Sequence, residues 1–311
     1  MGKNKSACCS LCTSETQQIL IERPDYECGL ETKFEYRKCL NPNCGLVFAN
    51  VPIGFDLGCL YESYSTHSDS KEHRLSFISK IIPEEISQSS DEWNAVLDGR
   101  NRNEISVLDF GCGNGNFLDK LRCSGIKNIY GYDFDSKALE IAKTKNCNIL
   151  ESIDTSIKFD VVFMNHVIEH ISDPLSEIEK IRGILKEGGV LYITTPNTNS
   201  ITRRIFRDRW RGWETPRHVN MFNTSSAKML LSKSGYSTIS SGITTRNSMF
   251  IGIYNESFIG CFWKSKIGKL LRWFILVPVS WIVYFSRTIS ISMGEEIVML
   301  FRCGTDNERD K

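Results

Sequence analysis

Three residues just past an apolar run, His166, Glu169 and His170, set two imidazoles and a carboxylate at helical offsets of three and four. Such spacing turns the side chains toward neighbouring faces of one turn. Together they could move a proton, orient an acceptor, or offer nitrogen and oxygen ligands to a divalent ion. His166 is expected as a base or substrate-positioning residue, and His218 as a residue ordering a later loop. A second set is Cys9-Ser-Leu-Cys12 and Cys39-Leu-Asn-Pro-Asn-Cys44-Gly45, two knuckles separated by 26 residues. Four thiolates at these offsets suit a closed tetrahedral zinc site, which is structural and leaves no position for catalysis. The second knuckle spaces its cysteines by four residues rather than the usual two, and Cys8 and Cys28 are spare candidates.

The third set is a glycine run, Val107-Leu-Asp-Phe-Gly-Cys-Gly-Asn-Gly-Asn-Phe-Leu118. Gly111, Gly113 and Gly115 let backbone approach a ligand closely, beside Asp109, Cys112 and Asn114, and the following helix start presents free N–H groups. Asp133, with Phe134 after it, ends the next apolar run 18 residues past Gly115, where a carboxylate reaches the hydroxyls of a bound ribose. A glycine run alone is weak evidence, because structural turns look similar.

Alternating apolar runs must position these residues. Strands are expected at Ile105–Phe110, Asn128–Tyr132, Phe159–Met164, Val190–Thr195, near Tyr236–Thr244 and at Glu296–Arg302. Helices are expected at Asn116–Ser124, Ser136–Asn146, Pro174–Leu185 and Thr224–Ser234. This alternation implies an α/β fold with a mostly parallel sheet covered by helices on both faces. The expected organisation is a cysteine module at 1–50, a helical lid or linker at 51–103, and a main domain at 104–311 with a hydrophobic, basic insertion at about 258–292.

Asp109-Phe-Gly-Cys-Gly-Asn-Gly115 resembles the first motif of class I S-adenosylmethionine-dependent methyltransferases, Asp-x-Gly-x-Gly-x-Gly. The resemblance continues through Phe159–Pro174 and Leu185–Asn197, and Pro216-Arg-His218 is similar to a recurring bacterial motif, so it runs over roughly 105–240. It implies a seven-stranded Rossmann-like sheet and S-adenosylmethionine as cofactor. The glycine-loop residues, Asp133, Phe134 and Asn165 would hold that cofactor. Ubiquinone-biosynthesis O-methyltransferases carry Glu-x-x-Glu-His where this chain has His166-Val-Ile-Glu169-His170, which implies a divalent metal near these three residues. His166 stands in place of the first glutamate; a loop-capping role for Glu169-His170, as the resemblance to relatives without a metal implies, is the favoured reading. Glu151-Ser-Ile-Asp154 departs from the acidic adenine-binding signature. A cysteine module ahead of the domain is similar to methyltransferases of sugar and natural-product pathways, in which Tyr61 and Tyr64 would belong to a lid. A small-molecule or saccharide acceptor in surface-polysaccharide biosynthesis is the leading expectation. A quinone precursor, a nucleic acid, or cofactor binding without catalysis are the alternatives.

Composition narrows these. A net charge of +1 and 41% hydrophobic residues fit an ordinary globular core with no global attraction for nucleic acid. Met164-Asn-His-Val167 lacks the proline-aromatic signature of nucleobase amino-methylases. Local charge is uneven: 201–218 carries a net +4 and 261–287 a net +5, the latter around the uncharged run Trp273–Phe285 broken by Pro278. That run is short for a membrane span and suits either an interfacial element touching membrane, which would favour a lipid-linked acceptor, or a pair of helices packed on the sheet or on a second copy. Met1–Ser14 is polar, so a cytoplasmic location is expected, peripheral at the inner face of the membrane if the 273–285 run contacts it. Met1-Gly2-Lys3-Asn4-Lys5-Ser6 also fits a weak N-myristoylation pattern, with Cys8 as a second acylation site.

Overall fold

The computed structural model describes residues 8–19, 21, 31, 33–52, 54–61, 92–145, 147–246, 278, 281–282 and 293–303. The lipidation pattern, Cys28, Tyr64 and nearly all of the 258–292 insertion lie outside them.

The main sheet has seven strands. Four parallel strands come first, β4 (Ser106–Phe110), β5 (Asn128–Tyr132), β6 (Asn148–Ile149) and β7 (Phe159–Asn165), followed by β8 (Leu185–Pro196), β10 (Ser237–Arg246) and β11 (Glu296–Arg302). Their order is β10-β11-β8-β7-β4-β5-β6, parallel from β8 to β6, with β11 antiparallel to both neighbours. β4 and β7 read as almost unbroken apolar runs because they are buried on both faces. Helices α1 (Glu92–Ala95), α2 (Asn116–Cys123), α3 (Ser136–Ala142), α4 (Pro174–Ile184), α5 (Ile201–Phe206) and α6 (Thr224–Lys233) flank and connect the strands. Asp135 caps α3 through the N–H of Lys137, Asp173 caps α4 through Ser176, and Asn223 forms a capping box with Ser226 on α6. The expected seven-stranded Rossmann-like fold is therefore present.

A second sheet of four antiparallel strands is ordered β1 (Thr16–Ile19), β2 (Glu35–Cys39), β3 (Val47–Asn50) and β9 (Asn220–Met221). β9 comes from the segment after β8, so the cysteine module completes its sheet with a strand from the main domain. One apolar cluster runs from Leu11, Leu46 and Phe48 to Phe222, Leu230 and Ile168. Among the described residues, no helix is long and apolar enough to cross a membrane.

Candidate active site

The carboxyl ends of β4, β5, β7 and β8 surround a cavity of about 270 Å³. On one wall, β4 turns through Gly111, Gly113 and Gly115, all with positive φ (83°, 51° and 81°). A Cβ on Gly111 would lie 2.3 Å from Val167 Cγ2, so the loop can pack this tightly only without a side chain. Asp133 braces the loop by accepting the Gly113 N–H at 2.8 Å and the Asp135 N–H at 2.9 Å. Phe134 is 58% exposed and presents its ring edge-on to Tyr61. Gly111, Gly113, Asn114, Asp133, Phe134 and Asn165 all line the cavity.

Asp109, Cys112 and Gly115 are not on its wall. Asp109 is buried at the end of β4, where burial and the neighbouring Asp133 push its carboxyl up to about 8. Cys112 turns inward toward Gly131, and Gly115 is the N-cap of α2. Of the residues expected to hold the cofactor, these three shape the loop without lining the cavity.

The opposite wall carries the titratable cluster. His166 has φ 55°, a left-handed backbone at a non-glycine residue, directly after β7. Its Nε2 lies 2.8 Å from Glu296 Oε1 and its Nδ1 3.3 Å from Glu169 Oε1. Burial would push this imidazole down, but Glu296 and the Glu169 hydrogen bond outweigh it and carry His166 up to about 10. At neutral pH the ring is an imidazolium with both nitrogens donating, so it has no lone pair with which to take a proton. Glu169 is held below the usual carboxylate range despite its burial, chiefly by the His166 hydrogen bond, and also accepts from Thr195 Oγ1 at 3.0 Å.

The short turn Ile168–His170 is pinned to the segment after β8. The Val219 N–H donates to the Glu169 carbonyl, and Asn220 Nδ2 to the Ile171 carbonyl. His218 faces His170 with ring centroids 4.7 Å apart. His218 Nδ1 lies 2.8 Å from the Gly212 carbonyl, which can only accept, so the proton sits on Nδ1. Burial pushes His218 down to about 4 against the pull of Glu214, so the ring is neutral and Nε2 carries a lone pair. His170 Nδ1 lies 2.7 Å from the Tyr61 hydroxyl and 3.2 Å from the Arg217 carbonyl. Glu214, buried beneath them, pairs with Arg211 and Arg217, and their charge, that of Arg211 first, holds it well below its usual range despite desolvation.

Glu169, His170 and His218 each place one ligand atom within 4.8 Å of the others. The second candidate centre is Cys9, Cys12, Cys39 and Cys44, whose sulfurs meet the same limit. Cys9–Cys44 and Cys12–Cys39 are 3.9 and 3.4 Å apart. Four thiolates ~2.3 Å from a zinc ion would stand ~3.8 Å from one another, so the cluster could hold zinc with little movement. Gly45, at φ 63°, lets the four-residue knuckle close, with both Cys44 and Gly45 N–H groups on the Asn41 carbonyl. Cys8 is exposed beside it.

A sequence model of the family described as "Methyltransferase domain" matches residues 79–241, just over half of the chain. The chain belongs to the methyltransferase-domain family. Its fold and motifs are those of the class I, S-adenosylmethionine-dependent branch. Similar proteins include a mitochondrial ubiquinone biosynthesis O-methyltransferase of Dictyostelium discoideum, 32% identical over 139 residues, 38% of this chain and 41% of that one. Its Candida albicans counterpart is 26% identical over 152 residues, 44% and 46% of the two chains. The chain thus spans under half the length of these two curated relatives. Among solved structures, an S-adenosylmethionine-dependent methyltransferase from Mesorhizobium loti overlaps 69% of this chain and 98% of its own, at 12% identity and a TM-score of 0.44.

Sequence reasoning missed Glu296, Glu214 and Arg211 as neighbours of the cavity residues. Glu296 was visible only as the first residue of a strand; it reaches His166 because β11 pairs with β8 in the register Glu296↔Pro196. Arg211 was visible only as one of a basic cluster.

Proposed function

We propose that this methyltransferase transfers a methyl group from S-adenosylmethionine to a hydroxyl of a small-molecule acceptor. The observation that carries the reading is one cavity with a glycine loop, Asp133 and Phe134 on one side and the His170–His218–Glu169 cluster on the other. The loop and Asp133 fit the ribose and the charged tail of the cofactor, and exposed Phe134 fits its adenine. When bound, S-adenosylmethionine supplies an electrophilic methyl carbon. The protein then has to hold the acceptor oxygen in line behind that carbon and remove its proton.

His166 was expected as a base or a substrate-positioning residue, and its clamping between Glu169 and Glu296 argues against the first of these. It fixes the two carboxylates and the turn that follows β7. In the absence of a metal, proton removal falls to His170, whose Nδ1 is held by the Tyr61 hydroxyl. The same donor set fits the divalent ion implied by the resemblance, with a changed membership: Glu169, His170 and His218 would hold it, in place of His166. Histidine ligands usually donate their other ring N–H to an oxygen, as His218 does to a backbone carbonyl. Such an ion would lower the pKa of an acceptor hydroxyl. The four cysteines we assign to structural zinc.

Two acceptor classes follow. The cysteine module is similar to that of sugar-modifying enzymes and favours a saccharide; the named relatives favour a quinone precursor. Calorimetric titration of zinc-loaded protein with S-adenosylmethionine, beside Asp133→Ala, tests the cofactor. Micromolar binding that collapses in the variant supports the reading, and no binding by folded protein overturns it. Transfer of labelled methyl to saccharides or to dihydroxyphenyl compounds then separates the two classes.

A further inference from the structure

A second and larger hollow, about 530 Å³, lies between the cysteine module and the main domain. Its walls are Lys38 and the Cys39–Cys44 knuckle on one side, and Asn199, Arg203, Trp213 and Ser225 on the other. It is separate from the methyl-transfer cavity but shares a partition with it. Pro196 and Arg211 face that cavity, while Thr198, Asn199 and Trp213 face this groove.

Arg203 is the unusual residue. Its guanidinium carbon sits over the Trp213 ring, 5.5 Å from the centroid. Its Nε is buried and has no hydrogen-bond partner among the described residues. Burial, with the nearby Arg204, holds its pKa below the ordinary value. A buried Nε–H with no acceptor is costly even with the charge of Asp208 nearby to offset it, and an anion in the groove would bring oxygens of its own. Lys38 adds a second cation on the facing wall, and Asn199 and Ser225 add polar side chains that no described hydrogen bond engages. Among the described residues Asp208 is the one acidic side chain lining the groove, and it opposes an anion there.

We propose that this groove is a second binding site, which takes the phosphate group of a phosphate-bearing ligand through Arg203 and Lys38. Guanidinium and ammonium groups recognise phosphate oxygens by charge-assisted hydrogen bonds, and the Trp213 face fixes the plane of the fork. Such a group could belong to a soluble sugar phosphate or to a lipid headgroup, and both present the same oxygens.

The test uses the full, zinc-loaded chain and three probes: inorganic pyrophosphate, glucose 1-phosphate, and phosphatidylcholine vesicles containing phosphatidic acid. Binding is read by calorimetry for the first two and by co-sedimentation for the vesicles. Expected is saturable pyrophosphate binding that weakens at least ~10-fold in Arg203→Gln and less in Lys38→Gln. Asp208→Asn should tighten it, and added salt should weaken it. S-adenosylmethionine binding should be unchanged in all three variants, which also reports that they fold and separates this proposal from the methyl-transfer reading. Glucose 1-phosphate binding without vesicle binding assigns a soluble ligand; the reverse assigns a lipid. Absence of binding to every probe overturns the proposal, as does pyrophosphate binding that Arg203→Gln leaves intact.

Discussion

Glu295 offers a quantitative check on how the site end of β11 is built. It is fully buried immediately before the strand. One oxygen, Oε2, accepts from the Thr202 hydroxyl, which also receives the Trp210 indole N–H at 3.1 Å. The other, Oε1, has no partner among the described residues. Burial carries this carboxyl from 4.5 up to about 8. Between those values the folded chain binds a proton that the unfolded chain has released. Stability from this group is complete below 4.5, declines as pH rises, and is gone above about 8. One proton of difference is worth about 1.4 kcal/mol per pH unit, so the window sums to at most about 5 kcal/mol. Glu295→Gln keeps the shape and an acceptor for Thr202 but cannot ionise. Urea unfolding of zinc-loaded protein at pH 5, 6, 7 and 8 should show the variant close to the parent at pH 5 and progressively more stable above it. Asp109, also pushed up to about 8, contributes the same slope to both proteins and cancels in the difference. Parallel curves, or a variant that loses ground as pH rises, would refute the picture of a protonated, half-partnered carboxyl.

Three further outcomes follow from the geometry. Gly111→Ala combines a left-handed backbone with a Cβ 2.3 Å from Val167, and should cost about 2–5 kcal/mol in denaturant unfolding and abolish S-adenosylmethionine binding. Phe134→Ala, at an exposed position, should weaken S-adenosylmethionine about 2- to 10-fold by calorimetry while the melting temperature holds. Purified protein should carry one zinc per chain by elemental analysis; Cys44→Ala or a strong chelator should remove it and lower the melting temperature steeply, because the cysteine cluster is continuous with the main core.

What could be read ahead of the structure was whatever is written in neighbouring residues. β5 and β11 ran where their apolar patterns put them. The glycine loop and Asp133 were legible for the same reason, since a tight turn and its bracing acid lie within one strand-helix-strand unit. The chemistry of His166 was not. Its raised pKa depends on Glu296, which is 130 residues away and arrives only because an antiparallel strand slots beside β8. The tautomer of His218 is likewise set by a backbone carbonyl, which no side-chain pattern reveals. The separation of module from catalytic domain looked clean in the cysteine spacing, yet β9 closes the module's sheet and carries the chain from His218 into Phe222 beneath it. The segment that supplies His218 to the cavity is therefore also an edge of the cysteine module. Metal loading at Cys9, Cys12, Cys39 and Cys44 and the placement of the histidine beside Glu169 are mechanically one problem, so zinc loss should disturb the site as well as the fold.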